Sequence, residues 1–334
     1  MRNLKVGIVG IGTIGTEMVK VLLERKFPAK EIRIIARSER DEIIAGNKYH
    51  VIEAKNEAFD GLDLALFAGT EGSKGASKLF GWEAVKRGVV VIDNGDDFRM
   101  DPRVPLVIPE INPEALKNHP GFISNPNCST IIALMALGPL HRAAGIRRFT
   151  VSTYQSVSGT GRGAIQELEQ QIRDYAAGRP MKYEVYPHQI AFNVIAQIGS
   201  VKKEMPGYTS EEAKMLFETR KILGDDSIKV AATCVRVPVF YGHTEALNIE
   251  FKRPISPEEA RKILLSAPGV KVADDLDKNL YPIPLMAAGK DDVLVGRIRH
   301  DESVTNGLAL LVSGDNIRKG AALNAVQIAE KLFA

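Results

Sequence analysis

"LKVGIVGIGTIGTEMVKVLLE", residues 4–24, decides the fold. Its first six residues suit a short buried strand, and "GIGTIG" (10–15) follows at once in the G-x-G-x-x-G form. Met18, Val19, Leu22 and Leu23 then recur at helical spacing. Strand, glycine turn and helix, in that order, make a dinucleotide-binding turn. The glycines permit a tight bend and close backbone approach, and the helix N-terminus faces a pyrophosphate. Gly10, Gly12, Thr13, Ile14 and Gly15 are the cofactor contacts this reading names. The plainer alternative is a glycine-rich turn that packs a helix on a sheet.

Further strand-like runs follow at "EIRIIA" (31–36), "LDLALFA" (62–68), "GVVVID" (88–93) and "PLVIPE" (105–110), with helical stretches such as "SKLFGWEAVKRG" (77–88) between them. Strands alternating with helices mean βαβ units, so the first domain is α/β with a Rossmann-type parallel sheet. An acidic residue at the end of the second strand would select NAD by its ribose hydroxyl. Here that strand ends "ARSER", giving Arg37 and Ser38. A guanidinium and a hydroxyl suit a 2′-phosphate, which favours NADP. Against this stand a solvated surface role for Arg37 and the nearby Glu39.

After residue 128 the pattern changes. A long apolar helix, "STIIALMALGPLHRAAG", leads into strands around 147–158, 228–239, 243–251 and 293–313, with helices at 163–177, 209–223 and 256–267. The last two open with capping boxes, Thr209 with Glu212 and Ser256 with Glu259, and Pro257 takes the first helical position. This is an α+β second domain. The expected division is 1–127, completed by a C-terminal amphipathic helix in 315–334, and an α+β domain over 128–314.

The chain has 334 residues, 45% hydrophobic and 25% charged, with a net charge of +3, proportions that fit two ordinary globular domains. No basic stripe argues for nucleic acid, and no 18-residue apolar run argues for a membrane span. Arg2 and Lys5 precede an apolar stretch, but glycines break it and Glu17 and Lys20 follow, so a nucleotide turn explains it better than a signal peptide. Two cysteines make no disulfide framework, which points to a reducing, cytoplasmic setting. No metal site is expected.

"SNPNCST" (124–130) places Cys128 at the first turn of a helix. Pro126 keeps Asn125 out of helical geometry. The positive end of the helix favours a thiolate and offers N–H groups to an oxyanion. Cys234, inside the strand "VAATCVRVPV", reads as a buried small hydrophobe. A thiol nucleophile needs a proton partner. Among six histidines, His243 in "VRVPVFYGHTEAL" stands out, with Gly242 beside it and Arg236 seven residues earlier.

Together "SNPNCST", "STYQSVSGTGRG", "ATCVRVPVFYGHTEALNIEF", "DNIRKGAALNAVQIAE" and "VVVIDNGDDFRMDPRVPLVIPEIN" resemble the aspartate-β-semialdehyde dehydrogenase family, in that family's order and over nearly the whole chain. The resemblance implies a homodimer that reduces L-aspartyl-4-phosphate with NADPH to aspartate semialdehyde and phosphate, towards lysine, threonine and methionine. It implies Cys128 as nucleophile, His243 as acid/base, and Gln155 beside the thiol, holding the acyl intermediate. It implies Arg236 on the substrate α-carboxylate, Glu211 on the α-amine, and Lys214 and Arg99 on the phosphate. Asn127 would add an amide donor to the oxyanion site. Ser158, Gly159 and Asn316 would line the nicotinamide half of NADP.

The residue types agree with these roles. Glu211 and Lys214 are three apart on one helix and can face one ligand, although an exposed ion pair would look the same. Arginine grips a carboxylate with two parallel hydrogen bonds, which lysine cannot do. Asn316 alone also reads as the cap of a helix beginning at Ile317. Two features depart from the family. The glycine turn is one residue shorter than the usual G-x-x-G-x-x-G. Asp96 and Asp97 stand where small or hydroxyl residues are common, either weakening phosphate binding near Arg99 or facing solvent. Two other functions are compatible with parts of the pattern. One is an N-acetyl-γ-glutamyl-phosphate reductase, which needs no residue for a free α-amine. The other is a non-catalytic NADP-binding regulator with an inert cysteine.

Overall fold

The computed structural model describes residues 3–69 and 75–333. They form two compact units, one reaching Asn127 and resuming at Ala321, the other running Cys128–Gly320.

The first unit opens with β1 (Leu4–Val9), α1 (Thr13–Glu24) and β2 (Ala29–Ala36). Next come the hairpin β3 (Arg40–Ile44) and β4 (Asn47–Glu53), then β5 (Leu64–Phe67), α2 (Trp82–Lys86), β6 (Val90–Asp93) and β7 (Phe122–Ser124). The sheet order is β3-β4-β2-β1-β5-β6-β7, parallel throughout except for β3. The β3–β4 hairpin was not expected from the sequence, whose charged residues hide it. Its turn is Ala45–Gly46 with both φ positive (50° and 78°), the conformation two-residue hairpins prefer. The strand expected at "PLVIPE" is absent. Pro105 and Pro109 supply no N–H, and the segment makes only the isolated bridge Leu106–Ser124.

Apolar layers cover both faces of this sheet. One joins Ile8, Met18, Leu22 and Ile34 to Leu323, Val326 and Ile328 of the C-terminal helix Leu323–Phe333. The other gathers Phe59, Phe67, Val91 and Phe122. Asn324 ties the helix down, donating to Val107 O (2.9 Å) and Asn125 Oδ1 (2.7 Å).

The second unit begins with α3 (Cys128–Ala144), β8 (Ile146–Gln155), α4 (Arg162–Ala176) and α5 (Ser210–Leu223). It continues with β9 (Lys229–Arg236), β10 (His243–Phe251), α6 (Pro257–Leu265), β11 (Val270–Val272), α7 (Pro284–Ala287), β12 (Val293–His300) and β13 (Gly307–Gly314). Both expected capping boxes are present, at Thr209/Glu212 and Ser256/Glu259. The run expected as one strand over 293–313 is the antiparallel pair β12–β13. The mixed sheet has the order β11-β12-β13-β10-β8-β9. Helix α3 packs against β10, β8, β12 and β13, and is apolar nearly all round, as a helix with no solvent face must be.

The stretch 315–333 is not one regular helix. A π-type turn, Arg318–Ala322, precedes the C-terminal helix, hereafter α8.

Candidate active site

Cys128 is the first residue of α3 and remains partly exposed. The π-type turn brings Gly320 against it. A Cβ at 320 would lie 2.9 Å from the Cys128 Cβ, so only glycine leaves the thiol its place. Such turns recur at functional positions in helices.

The groups read as its partners meet at one end of the mixed sheet. β8 pairs Gln155 with Arg236 of β9, and pairs Tyr154 with Thr244, the residue after His243 on β10. His243 is fully buried. The Ser156 N–H donates to its Nδ1 at 3.1 Å, and the Ser156 hydroxyl lies 3.0 Å from the same atom. An acceptor Nδ1 leaves the proton of the neutral ring on Nε2, which has no partner among the described residues. Burial, and then the neighbouring Arg236 charge, push the imidazole well below its ordinary range, against a hydrogen bond at Gly242. His243 is therefore a neutral ring with a fixed tautomer and an N–H to give.

The Arg236 guanidinium is anchored on Ser156 O (2.7 Å) through Nη1, while its buried Nε has no hydrogen-bond partner among the described residues. Gly159 fits between these two residues: a Cβ there would sit 3.0 Å from Arg236 Nη1 and 3.3 Å from His243. Gln155 Nε2 donates to Glu211 Oε1 at 3.2 Å and to Thr153 Oγ1 at 3.4 Å. Glu211 also faces Lys214 Nζ at 3.8 Å. Glu211 is buried, so this is not the exposed ion pair that the spacing alone allowed.

Asn316 is not the helix cap. Asp315 takes that role, its Oδ1 accepting from the N–H groups of Ile317 (2.8 Å) and Arg318 (2.9 Å). One residue on, the Asn316 side chain points elsewhere and its Oδ1 accepts from Ser156 Oγ, Ser158 Oγ and Gly242 N, each at 3.1 Å. A single amide thus fastens the loop after β8 to the loop before β10.

In the first unit, the glycine turn is tight on one side and open on the other. Gly10 adopts φ +92°, and a Cβ on Gly15 would strike Gly10 O at 1.9 Å. A Cβ on Gly12, the residue before α1, would meet nothing within 4 Å, which leaves the turn open for a phosphate. Arg37 and Ser38 are exposed beyond β2, and Arg40, paired through Nε with Glu42 Oε1 (2.8 Å), contacts Ser38 O (3.1 Å) and Oγ (3.3 Å) through Nη1.

Arg99 is buried and donates to Asn94 O at 2.7 Å. Asp97 meets Lys78 Nζ at 3.0 Å, so its charge is matched within the unit. Asn127 is buried at the last position before α3. Deeper, burial lifts the Asp93 carboxyl to about 6, although Gly95 N–H, Ser77 Oγ–H and the Arg99 charge all favour its ionised form.

Comparison with known proteins places this geometry. Residues 5–119 match the semialdehyde dehydrogenase NAD binding domain, and residues 137–319 the semialdehyde dehydrogenase dimerisation domain. An aspartate-semialdehyde dehydrogenase from Aquifex aeolicus is 51% identical, over 98% of this chain and 97% of that protein. The chain belongs to the aspartate-semialdehyde dehydrogenase family. The aspartate semialdehyde dehydrogenase II of Vibrio cholerae, solved in complex with ASA, superposes with a TM-score of 0.93 at 44% identity, over 99% of this chain and 98% of that one. The Candida albicans enzyme, solved with NADP, gives 0.75 at 25% identity, over 99% and 98%.

Within this family fold, sequence reasoning named the groups at the sheet end but missed those that fix them. Ser156 sets the His243 tautomer, Gly320 makes room for the thiol, and Arg40 reinforces Ser38. Ser156 follows Gln155 and Gly320 lies four residues after Asn316, both inside quoted motifs, and that placement was the only signal. Among the described residues no group of three or more His, Cys, Asp or Glu could hold a metal ion, and no helix is long and apolar enough to cross a membrane.

Proposed function

We propose that this member of the family uses NADPH to reduce L-aspartyl-4-phosphate to L-aspartate 4-semialdehyde and phosphate through a thioester on Cys128. It would act as a homodimer in the synthesis of lysine, threonine and methionine. The observation that carries the reading is the junction of His243, Gln155 and Arg236 at one sheet end, in the unit where α3 begins with Cys128. The pairing of Gln155 with Glu211 and of Glu211 with Lys214 extends it.

The Cys128 thiolate attacks the β-carbonyl carbon, a C–S bond forms, and the bond to the phosphate oxygen breaks. NADPH, when bound, supplies the hydride that turns the thioester into a thiohemiacetal. Collapse of that species breaks the C–S bond and returns aldehyde and thiolate. His243 relays protons at the thiol and the hemiacetal oxygen; from its resting tautomer it gives the Nε2 proton to a hydrogen bond with the oxygen that gathers charge. Arg236 holds the α-carboxylate, Glu211 the α-amine, and Lys214 and Arg99 the phosphate. Gln155 steadies the acyl group beside the thiol, and Asn127 adds an amide donor to the oxyanion site. Gly10, Gly12, Thr13, Ile14 and Gly15 would cradle the pyrophosphate. Arg37 and Ser38, with Arg40, would hold the 2′-phosphate, and Ser158, Gly159 and Asn316 the nicotinamide half.

The test is phosphate-dependent oxidation of aspartate semialdehyde with NADP and NAD in turn, with N-acetylglutamate semialdehyde as the competing aldehyde. Turnover of aspartate semialdehyde with NADP is expected. A preference for the acetylated aldehyde would overturn the substrate, and a preference for NAD would overturn the roles of Arg37 and Ser38.

A further inference from the structure

One buried group in the second unit is not used by this chemistry. Glu245 lies on β10 two residues after His243, on the same face of the strand, and is fully buried. Neither carboxyl oxygen has a hydrogen-bond partner of ordinary geometry among the described residues. Sheet register sets it beside Thr153 of β8, which is itself beside Cys234 of β9, and opposite Val312 of β13. This row runs directly beneath the one that holds His243, Gln155 and Arg236. From the covering helices, the Glu211 carboxylate of α5 and the Ser129 hydroxyl of α3 act on Glu245, and Ser129 is the residue after Cys128. Glu212 of α5 also borders the row, accepting from Cys234 N at 3.2 Å.

Among the described residues no lysine or arginine is paired with Glu245, and an ionised carboxylate cannot be buried cheaply without one. The Glu211 charge opposes a second anion, and burial itself pushes the Glu245 acid well above its ordinary range, only partly countered by Ser129. His243, on the same strand, is neutral and offers no compensating charge. An ionised Glu245 would also compete with a Cys128 thiolate for the positive field of the first turn of α3. A carboxylic acid that keeps its proton avoids this conflict and still has an O–H to direct.

We propose that Glu245 is a positioning residue of the active site, a neutral carboxylic acid whose O–H is directed at Ser129 and so seats the first turn of α3, and with it Cys128. This inference rests on the reading of Cys128 as the nucleophile.

The pH dependence of Cys128 alkylation by iodoacetamide tests the charge. In E245Q, which keeps a neutral polar group of the same shape, the midpoint stays at the wild-type value. A downward shift of about one unit would show that an anion had been removed, and would overturn the proposal. E245M tests the seat. Its kcat falls about five- to tenfold, the loss of one buried polar contact, with an unchanged KM for aspartate semialdehyde, and E245Q restores most of that loss. Wild-type kcat in E245M would mean that Glu245 merely fills space, and a deep loss in E245Q would mean that its proton moves; either result overturns the proposal. Should E245M fail to fold, S129A takes its place: it loses a similar factor, and S129A/E245Q loses no more, whereas additive losses would reject the coupling. If alkylated enzyme kept full turnover, the nucleophile reading would fall instead, while the E245Q midpoint would still report the charge at Glu245.

Discussion

The two cysteines are the same side chain in opposite surroundings. Cys234 sits in the middle of β9, fully buried. Burial pushes its thiol far up, and the carboxylates of Glu211 and Glu212 push it further, against one hydrogen bond to Thr153. Cys128 opens a helix, keeps part of its surface, and has a glycine cleared from its path. A strand interior among acids suppresses a thiolate, and a helix start with open space favours one. Position decides which sulfur can react, and the comparison can be broken at either end.

The largest effect is expected from Cys128→Ala. Turnover should fall by about four to six powers of ten, as for other nucleophile deletions, while NADPH still binds by fluorescence titration. Normal turnover would end the distinction between the two thiols. Next comes Gly320→Ala, which adds one methyl group 2.9 Å from the Cys128 Cβ. Displacing the sulfur without removing it should cost about a hundredfold in kcat; unchanged kinetics would show that the close approach is irrelevant to aim.

Arg236 lies on the same strand as Cys234, two residues further on. For Arg236→Lys, steady-state kinetics should show KM for aspartate semialdehyde rising about ten- to a hundredfold, the loss of one charge-assisted hydrogen bond. An unchanged KM would reject its hold on the carboxylate. The smallest effect belongs to Cys234→Ala. Turnover should be preserved and stability to urea should drop by about 1 kcal/mol, the cost of removing a small buried group. Mass spectrometry of native enzyme treated with iodoacetamide at neutral pH should find the label at Cys128 alone.

The parts that read easily from sequence are those where backbone chemistry forces a residue type. The turn at Gly10–Gly15 needs a positive φ at one glycine and a missing Cβ at another, so its spacing carries the fold. The boxes at Thr209/Glu212 and Ser256/Glu259 mark helix starts for the same reason. Cys128, His243 and Arg236 stood out because their neighbours were unusual. What did not read is set by tertiary placement. The alternation in "HTEALNIEF" shows a strand, but not that Glu245 faces buried carboxylates. Asp315 and Asn316 are both plausible caps, and only the fold shows that the first caps while the second bridges loops. At "PLVIPE" apolar content suggested a strand, and the prolines prevailed.

The first unit closes around a helix that the chain supplies only after the whole second unit. Residues 4–127 can pair their strands early in synthesis, yet the face lined by Ile8, Met18 and Leu22 stays uncovered until Leu323, Val326 and Ile328 emerge. On the ribosome the nucleotide-binding sheet must therefore wait, with a greasy side open to chaperones, while Cys128–Gly320 is still being made. The cofactor turn precedes the second unit in the chain, yet the sheet beneath it is covered only by residues that follow that unit.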